Sequence, residues 1–226
     1  MCRGALARVV LLKRVGRALK QYLVVPTSLG LRGMLTVAAN RLASLNHYYV
    51  LHMNLSTLGP AKRLRLLYGI RRISPDDLRI LTHGLKALDL ESRKEVGSRL
   101  LFYRAGFTNC YVARGWNDEI AYIQWIVYPS ENTVIRKRFR KIFSPLRNDQ
   151  VMVENAFTFP RFRGLGLMPA VTHELLNMAR QEGYTRAICY IRKDRIAALN
   201  DFIKLGFKIT RLIAEYRFVG FTVRGL

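Results

Sequence analysis

The chain has 226 residues, enough for one core of about 150 residues with an appendage, and half of them are apolar, which excludes a disordered polymer. Lys and Arg total 38 against 15 Asp and Glu, a net charge of +23, so its surface attracts polyanions such as nucleic acid, anionic lipid or an acidic protein. Cys2, Cys110 and Cys189 form no CxxC pair and supply neither a disulfide framework nor a zinc site, and no stretch reaches the roughly 18 apolar residues of a membrane span.

The charge is concentrated at the front: Met1 to Pro75 holds 13 Lys and Arg and no acidic residue. Within it, Leu11, Leu12, Val15, Leu19, Tyr22 and Leu23 fall on one arc at the helical period, with Lys13, Arg14, Arg17 and Lys20 opposite. A basic amphipathic helix over 11–23 is expected, limited by Pro26. It suits packing on the following domain and equally suits an anionic membrane surface met through residues 1–25. The location expected is cytoplasmic, peripheral on the membrane if that helix lies on lipid. The same Arg-rich, acid-free composition also fits a mitochondrial presequence, the minority alternative.

Farther along, His47–Leu51 reads as a short strand, and a strand start is expected near Leu66 between two basic clusters. The chain thus divides into a basic extension, 1–60, and a folded domain, 61–226. Ser74-Pro75-Asp76-Asp77 opens a helix over about 77–88, with a Ser cap, Pro in the first turn and acids at the positive end of the dipole. Strands are expected over 110–114 and 119–128, joined by a turn at Gly115 to Asp118. A polar, basic connection follows over 130–150, in which Phe139 and Phe143 sit among cations as stacking platforms would. Then come a strand (151–159), a helix (167–181), a strand (185–191), a helix from Asp194 to Leu205 and a last strand (207–219). Such alternation predicts an α/β fold, a sheet with helices packed on it.

The chemistry lies where the 151–159 strand meets the next helix through Pro160-Arg161-Phe162-Arg163-Gly164-Leu165-Gly166. Amides at a helix N-terminus lack intrahelical partners and face the positive end of the dipole, so such a turn binds phosphate. Gly164 and Gly166 let the main chain approach the ligand, and Arg161 and Arg163 add countercharge. A dinucleotide fingerprint fails, because its third glycine would fall on Pro169. The four histidines show no metal-ligand pairing, and no metal site is expected.

Residues 151–207 resemble the GNAT superfamily of acyl-CoA N-acyltransferases, whose signature is Arg/Gln-x-x-Gly-x-Gly/Ala between a strand and a helix. Arg161-x-x-Gly164-x-Gly166 satisfies the pattern in full; Arg163-x-x-Gly166-x-Met168 fits better the Pro-x-x-Arg-Gly run that usually accompanies it. Asn200 to Phe207 is similar to the family helix ending in Leu-Gly-Phe, with Phe202 where many members have Tyr. The resemblance implies a GNAT-like mixed sheet flanked by helices. It also implies N-acyl transfer, most simply N-acetyl transfer, from acetyl-CoA or another acyl-CoA to a primary amine by direct attack. The pyrophosphate would sit on the amides of Arg163, Gly164, Leu165, Gly166, Leu167 and Met168, with Arg161 nearby. The pantetheine would lie against the strand near Phe157, Thr158 and Phe159. Glu154, an acid in an apolar strand, is the candidate base, and Tyr190 on the neighbouring strand the candidate acid. The acceptor is read as a small-molecule or lipid-linked amine. An acyl carrier protein is an alternative donor, and nucleic-acid or ribosome binding is the rival function.

Overall fold

A computed structural model describes residues 43–60, 69–115, 118–218 and 221–225. The helix read over 11–23 and the strand start at Leu66 lie outside those residues. Eight strands form one sheet: β1 (Ala43–Asn54), β2 (Ile70–Arg72), β3 (Cys110–Arg114), β4 (Ile120–Val127), β5 (Gln150–Thr158), β6 (Arg186–Arg192), β7 (Lys208–Phe218) and β8 (Phe221–Arg224). Their order across the sheet is β2-β3-β4-β5-β6-β1-β7-β8. Among these described strands only β5 and β6 pair parallel; the α-helix between them supplies the crossover that parallel strands require. The main helices are α1 (Pro75–Gly84), α2 (Leu90–Arg104), α3 (Leu167–Gln181) and α4 (Ile196–Lys204).

The sheet has a core on each face. Val171, Leu175, Leu176, Leu199 and Phe202 of α3 and α4 pack with Leu51, Val153 and Cys189. On the opposite face Leu81, Val96, Leu100 and Phe102 of α1 and α2 pack with Val50, Ile123, Trp125 and Met152. Alternate residues of each strand serve alternate faces, which is why β4 is buried along its whole length. A sheet covered on both sides needs apolar side chains in both registers.

Several boundaries follow from local chemistry. The Ser74 side chain accepts the Asp77 N–H, and the Asp77 carboxylate accepts the Ser74 N–H, closing a capping box with Pro75 in the first turn. Asp77 is completely buried and also holds Arg71 and Arg114 at 2.6 Å each.

Three expectations need correction. Residues 43–54, assigned to the extension, are the strand between β6 and β7, so the folded domain includes them. The polar connection 130–150 contains a helical run over 132–139, and α2 and β8 add two elements that the sequence pattern does not announce. Asp194 does not cap α4. Its carboxylate is taken by Arg192 at 2.5 Å, and Arg195 occupies the cap position without a side-chain capping bond.

Candidate active site

β5 and β6 pair only through Gln150–Arg186, Val151–Ala187 and Met152–Ile188, and separate beyond that point. The cause sits on β5. Opposite the single residue Gln124 of β4, β5 places two, Asn155 and Ala156, and Asn155 adopts a left-handed φ of +56°. A bulge of this kind bends the strand that carries it. β5 stays bonded to β4 as far as Phe159, whose N–H reaches the Ala121 carbonyl at 3.0 Å. Its other edge therefore opens towards β6 as a wedge.

The bulge is clamped by Arg99 of α2. Its Nε donates to the Asn155 carbonyl and its Nη2 to the Ala156 carbonyl, each at 2.9 Å, while Nη1 meets the Glu95 carboxylate at 2.6 Å. The guanidinium lies 4.9 Å from the centre of the Phe157 ring. Burial lowers the Arg99 pKa, and the Glu95 hydrogen bond opposes that shift.

The wedge leads to the turn 160–166. Gly164 and Gly166 hold φ of +78° and +71°, a region that disfavours a Cβ. Gly166 is the cap of α3, which begins at Leu167. The N–H groups of Gly164, Leu165 and Gly166 donate to no protein acceptor among the described residues. Those of Leu167 and Met168 lie in the first helical turn, where no intrahelical acceptor exists, and Pro169 has no N–H to leave over. Five amides without a protein acceptor among the described residues thus follow one another at the positive end of a helix dipole.

Of the two arginines expected to add charge, Arg161 is held by Glu119 at 3.0 Å. Arg163 stays by the turn, its Nε on the Thr158 carbonyl at 3.3 Å and its guanidinium 5.9 Å from the Phe157 ring. Phe157 and Phe159 meet edge to face at 5.1 Å along the wedge. Leu167 is buried, and Leu165 and Met168 pack against the core below.

Glu154 stands where β5 and β6 part. Its Oε2 accepts the Asn155 N–H at 3.2 Å, and its Oε1 is buried with no hydrogen-bond partner. Burial pushes its pKa up to about 7, against the pull of Arg224, the Asn155 amide and Arg99. Glu154 is therefore not the partnered surface carboxylate that so many arginines would allow.

Tyr190 of β6 faces the same core as Met152 and Ile188, the face on which Glu154 also falls by the strand alternation. Burial raises its pKa, and the Glu154 charge raises it further. The structure thus brings together the two residues expected to do acid–base work.

Four further residues complete this cluster. Arg224 of β8 lies 4.0 Å over the Tyr48 ring and 5.3 and 5.4 Å from the rings of Phe143 and Tyr190. Its Nε holds the Glu215 carboxylate at 2.7 Å, and the Tyr48 hydroxyl donates to Glu215 at 3.4 Å. Phe143 is buried in this arrangement and offers no exposed stacking platform.

Other polar sites are structural. The Tyr122 and Thr172 hydroxyls converge on Gln124 Oε1 at 2.9 and 3.0 Å inside the core. His173 Nε2 donates to the Gly59 carbonyl at 2.7 Å. A depression of about 520 Å³ lined by His52, Met53, Asn54, Thr185, Arg186, Lys208 and Thr210 lies at the paired end of β6, away from the wedge. Among the described residues no helix is long and apolar enough to cross a membrane, and no cluster of three His, Cys, Asp or Glu gathers.

No protein-family model matches the chain, and no curated protein matches it. Solved structures do. A glucosamine N-acetyltransferase region of a fungal multi-domain β-N-acetylglucosaminidase, described as GCN5-related, superposes with a TM-score of 0.56 at 12% identity, over 85% of this chain and 22% of that one. A GCN5-related N-acetyltransferase from Sphaerobacter thermophilus gives 0.50 at 12% identity over 83% of this chain and 56% of its own. A GNAT-family acetyltransferase from Colwellia psychrerythraea gives 0.50 at 13% over 82% and 62%. The chain spans less than two thirds of the length of each. At these identities the likeness is one of fold: the chain's mixed sheet flanked by helices is the fold of these GCN5-related N-acetyltransferases.

Proposed function

We propose that the protein is an acyl-CoA-dependent N-acyltransferase, acetyl-CoA being the first donor to test, acting on a primary amine by direct attack. What supports this most is the wedge between β5 and β6, which runs from a buried, unpartnered carboxylate oxygen to a turn of unpaired amides. Acyl-CoA fits such a feature because a diphosphate, an amide-bearing chain and a thioester follow one another along it. The turn amides from Gly164 to Met168 take the diphosphate. The freed edge of β5 near Phe157, Thr158 and Phe159 takes the amide-bearing arm as an added strand would. This places the thioester at the narrow end, beside Glu154.

Bound there, the donor supplies an activated acyl carbon. Glu154 then removes the proton that the acceptor nitrogen must lose as the new C–N bond forms, and a pKa of about 7 leaves it partly ionised at neutral pH. Tyr190, kept protonated by its raised pKa, supplies a proton to the departing thiolate; water serves where the phenol does not reach. Proximity along the wedge does the remaining work.

Titration calorimetry with acetyl-CoA and longer acyl-CoAs tests the reading directly, and absence of binding by all of them overturns it. A thiol-release screen over amino sugars, amino acids and polyamines then identifies the acceptor.

A further inference from the structure

Outside the wedge, the strongest unexplained feature is a basic depression. Lys137, Arg138, Arg140 and Lys141 line it, with Ile142, Phe221 and Thr222, and it encloses about 350 Å³. Among the described residues no carboxylate lines it. Arg138 bonds the Ala105 carbonyl at 3.2 Å, and none of the four cations forms an ion pair among the described residues. Some cations elsewhere on this surface meet acids, as in Lys94–Glu91, Arg161–Glu119, Arg186–Asp149 and Arg195–Glu95; here four cations without such a partner share one concavity. Four unneutralised like charges in one concavity repel one another, and the concavity concentrates their potential on whatever enters. An anion bound there relieves both.

The depression also adjoins the Glu154 cluster. The Lys141 carbonyl accepts the Arg224 N–H at 2.7 Å, the Ile142 carbonyl accepts its guanidinium at 3.5 Å, and the next residue, Phe143, lies against Tyr190 at 5.5 Å. β8 spans the interval, with Thr222 at the depression and Arg224 on the same face in the cluster. Two residue steps at ~3.3 Å make that separation about 7 Å. A sugar ring plus a diphosphate covers such a distance.

We propose that this depression is the anion subsite of the acceptor, and that the amine presented to Glu154 is carried on a small diphosphate-bearing molecule, of which a nucleoside diphosphate-linked amino sugar is the model compound. The inference rests on the acyltransfer reading above. Arg138 and Arg140 offer planar forks to phosphate oxygens, and Lys137 and Lys141 offer mobile point charges. Phe221, half exposed at the rim, offers a ring face to a base or sugar. A diphosphate diester brings two negative charges to these four cations, which a lone neutral amine does not.

The experiment uses the full chain and the double variant Lys137→Glu/Arg140→Glu, with thermal melts to show that both are folded. Acetyl-CoA and uridine diphosphate are titrated separately, then uridine diphosphate again with coenzyme A saturating, so that the 160–166 turn is occupied. Uridine diphosphate is expected to bind the wild type with coenzyme A present, and the variant is expected to weaken it by about tenfold or more while acetyl-CoA affinity stays within about twofold. Equal affinity of the two proteins for uridine diphosphate overturns the proposal. So does an oligoribonucleotide that binds far more tightly than uridine diphosphate with a steep salt dependence, since that describes a polymer track. If acetyl-CoA alone fails to bind, the acyltransfer reading falls and the acceptor role with it, while the uridine diphosphate arm still decides whether an anion site exists. An unfolded double variant is replaced by Lys141→Ala, for which a smaller loss of uridine diphosphate affinity is expected and unchanged affinity refutes.

Discussion

Replacing Glu154 with Gln tests in one variant whether the fold holds a carboxylate at a cost to itself. The Glu154 pKa is raised from 4.5 to about 7, so the folded state favours the protonated form. Stability from this source is fully present below pH 4.5 and is lost as pH rises through about 7. Gln stays neutral throughout. The variant should match the wild type near pH 4 and exceed it above pH 7, by at most about 3 kcal/mol at ~1.4 kcal/mol per pH unit. At roughly 2–4 °C per kcal/mol for a chain of this size, its melting temperature at pH 8 should rise by up to about 10 °C. Activity should move the other way, kcat/KM falling by about 10²–10⁴. The rise of kcat/KM through pH 7, expected of the wild type because the base must be ionised, should disappear. Melts at pH 5 and pH 8, with pH–rate profiles of both proteins, settle the matter. An equal stability difference at the two pH values, or a profile still rising through pH 7 in the variant, would refute the assignment.

Substitutions at three more residues test other parts of the frame. Gly164→Ala meets nothing within 4 Å of the new Cβ but must hold a φ of +78°, so it should cost about 1 kcal/mol and weaken acetyl-CoA several-fold by distorting the amide turn, read by melts and calorimetry. Arg99→Ala strips the bulge carbonyls of Asn155 and Ala156 and leaves Glu95 without its bond, so urea unfolding should show a loss of about 3–5 kcal/mol, with Arg99→Lys recovering the charge and not the forked geometry. Asp77→Asn should cost a similar amount at neutral pH, since Arg71 and Arg114 converge on a carboxylate with no exposure. Burial alone would raise the Asp77 pKa, but the Arg71, Ser74 and Arg114 hydrogen bonds hold it well below 3.8. The wild type therefore loses this stabilisation as pH falls below about 4, and acid titration of the variant should lack that component.

How much of this was legible in the sequence depended on whether the deciding contact was local. α3 was read over its full length because Gly166 stops the turn before it and apolar residues then recur at the helical period. α1 was found through Ser74, Pro75 and Asp77, which carry their own hydrogen bonds. α2 went unread because its apolar pattern is blurred: Leu90 and Leu101 are exposed, while Arg99 is buried to clamp a strand more than fifty positions away. Glu154 stood out as an acid in an apolar strand. Arg224 did not, being one of 38 cations, and only pairing across the sheet gives it a place over Tyr48 and against Glu215. The bulge at Asn155 left no mark either, because its left-handed backbone falls on a residue that favours turns without requiring them.

The position of β1 bears on the order in which the molecule can assemble. Both of its neighbours, β6 and β7, are made long after it; the nearest pair, Asn54 with Arg186, is separated by 132 positions. On a ribosome, β1 emerges first and has no edge to join until nearly all the described chain has been synthesised. Its inward side chains, Val50, Leu51 and Met53 among them, stay uncovered for that interval. Non-local pairing of this kind makes folding slow and exposes intermediates to aggregation. A nascent chain arrested before residue 208 should accordingly bind chaperones and resist compaction, and release of the last two strands should convert it in a single cooperative step.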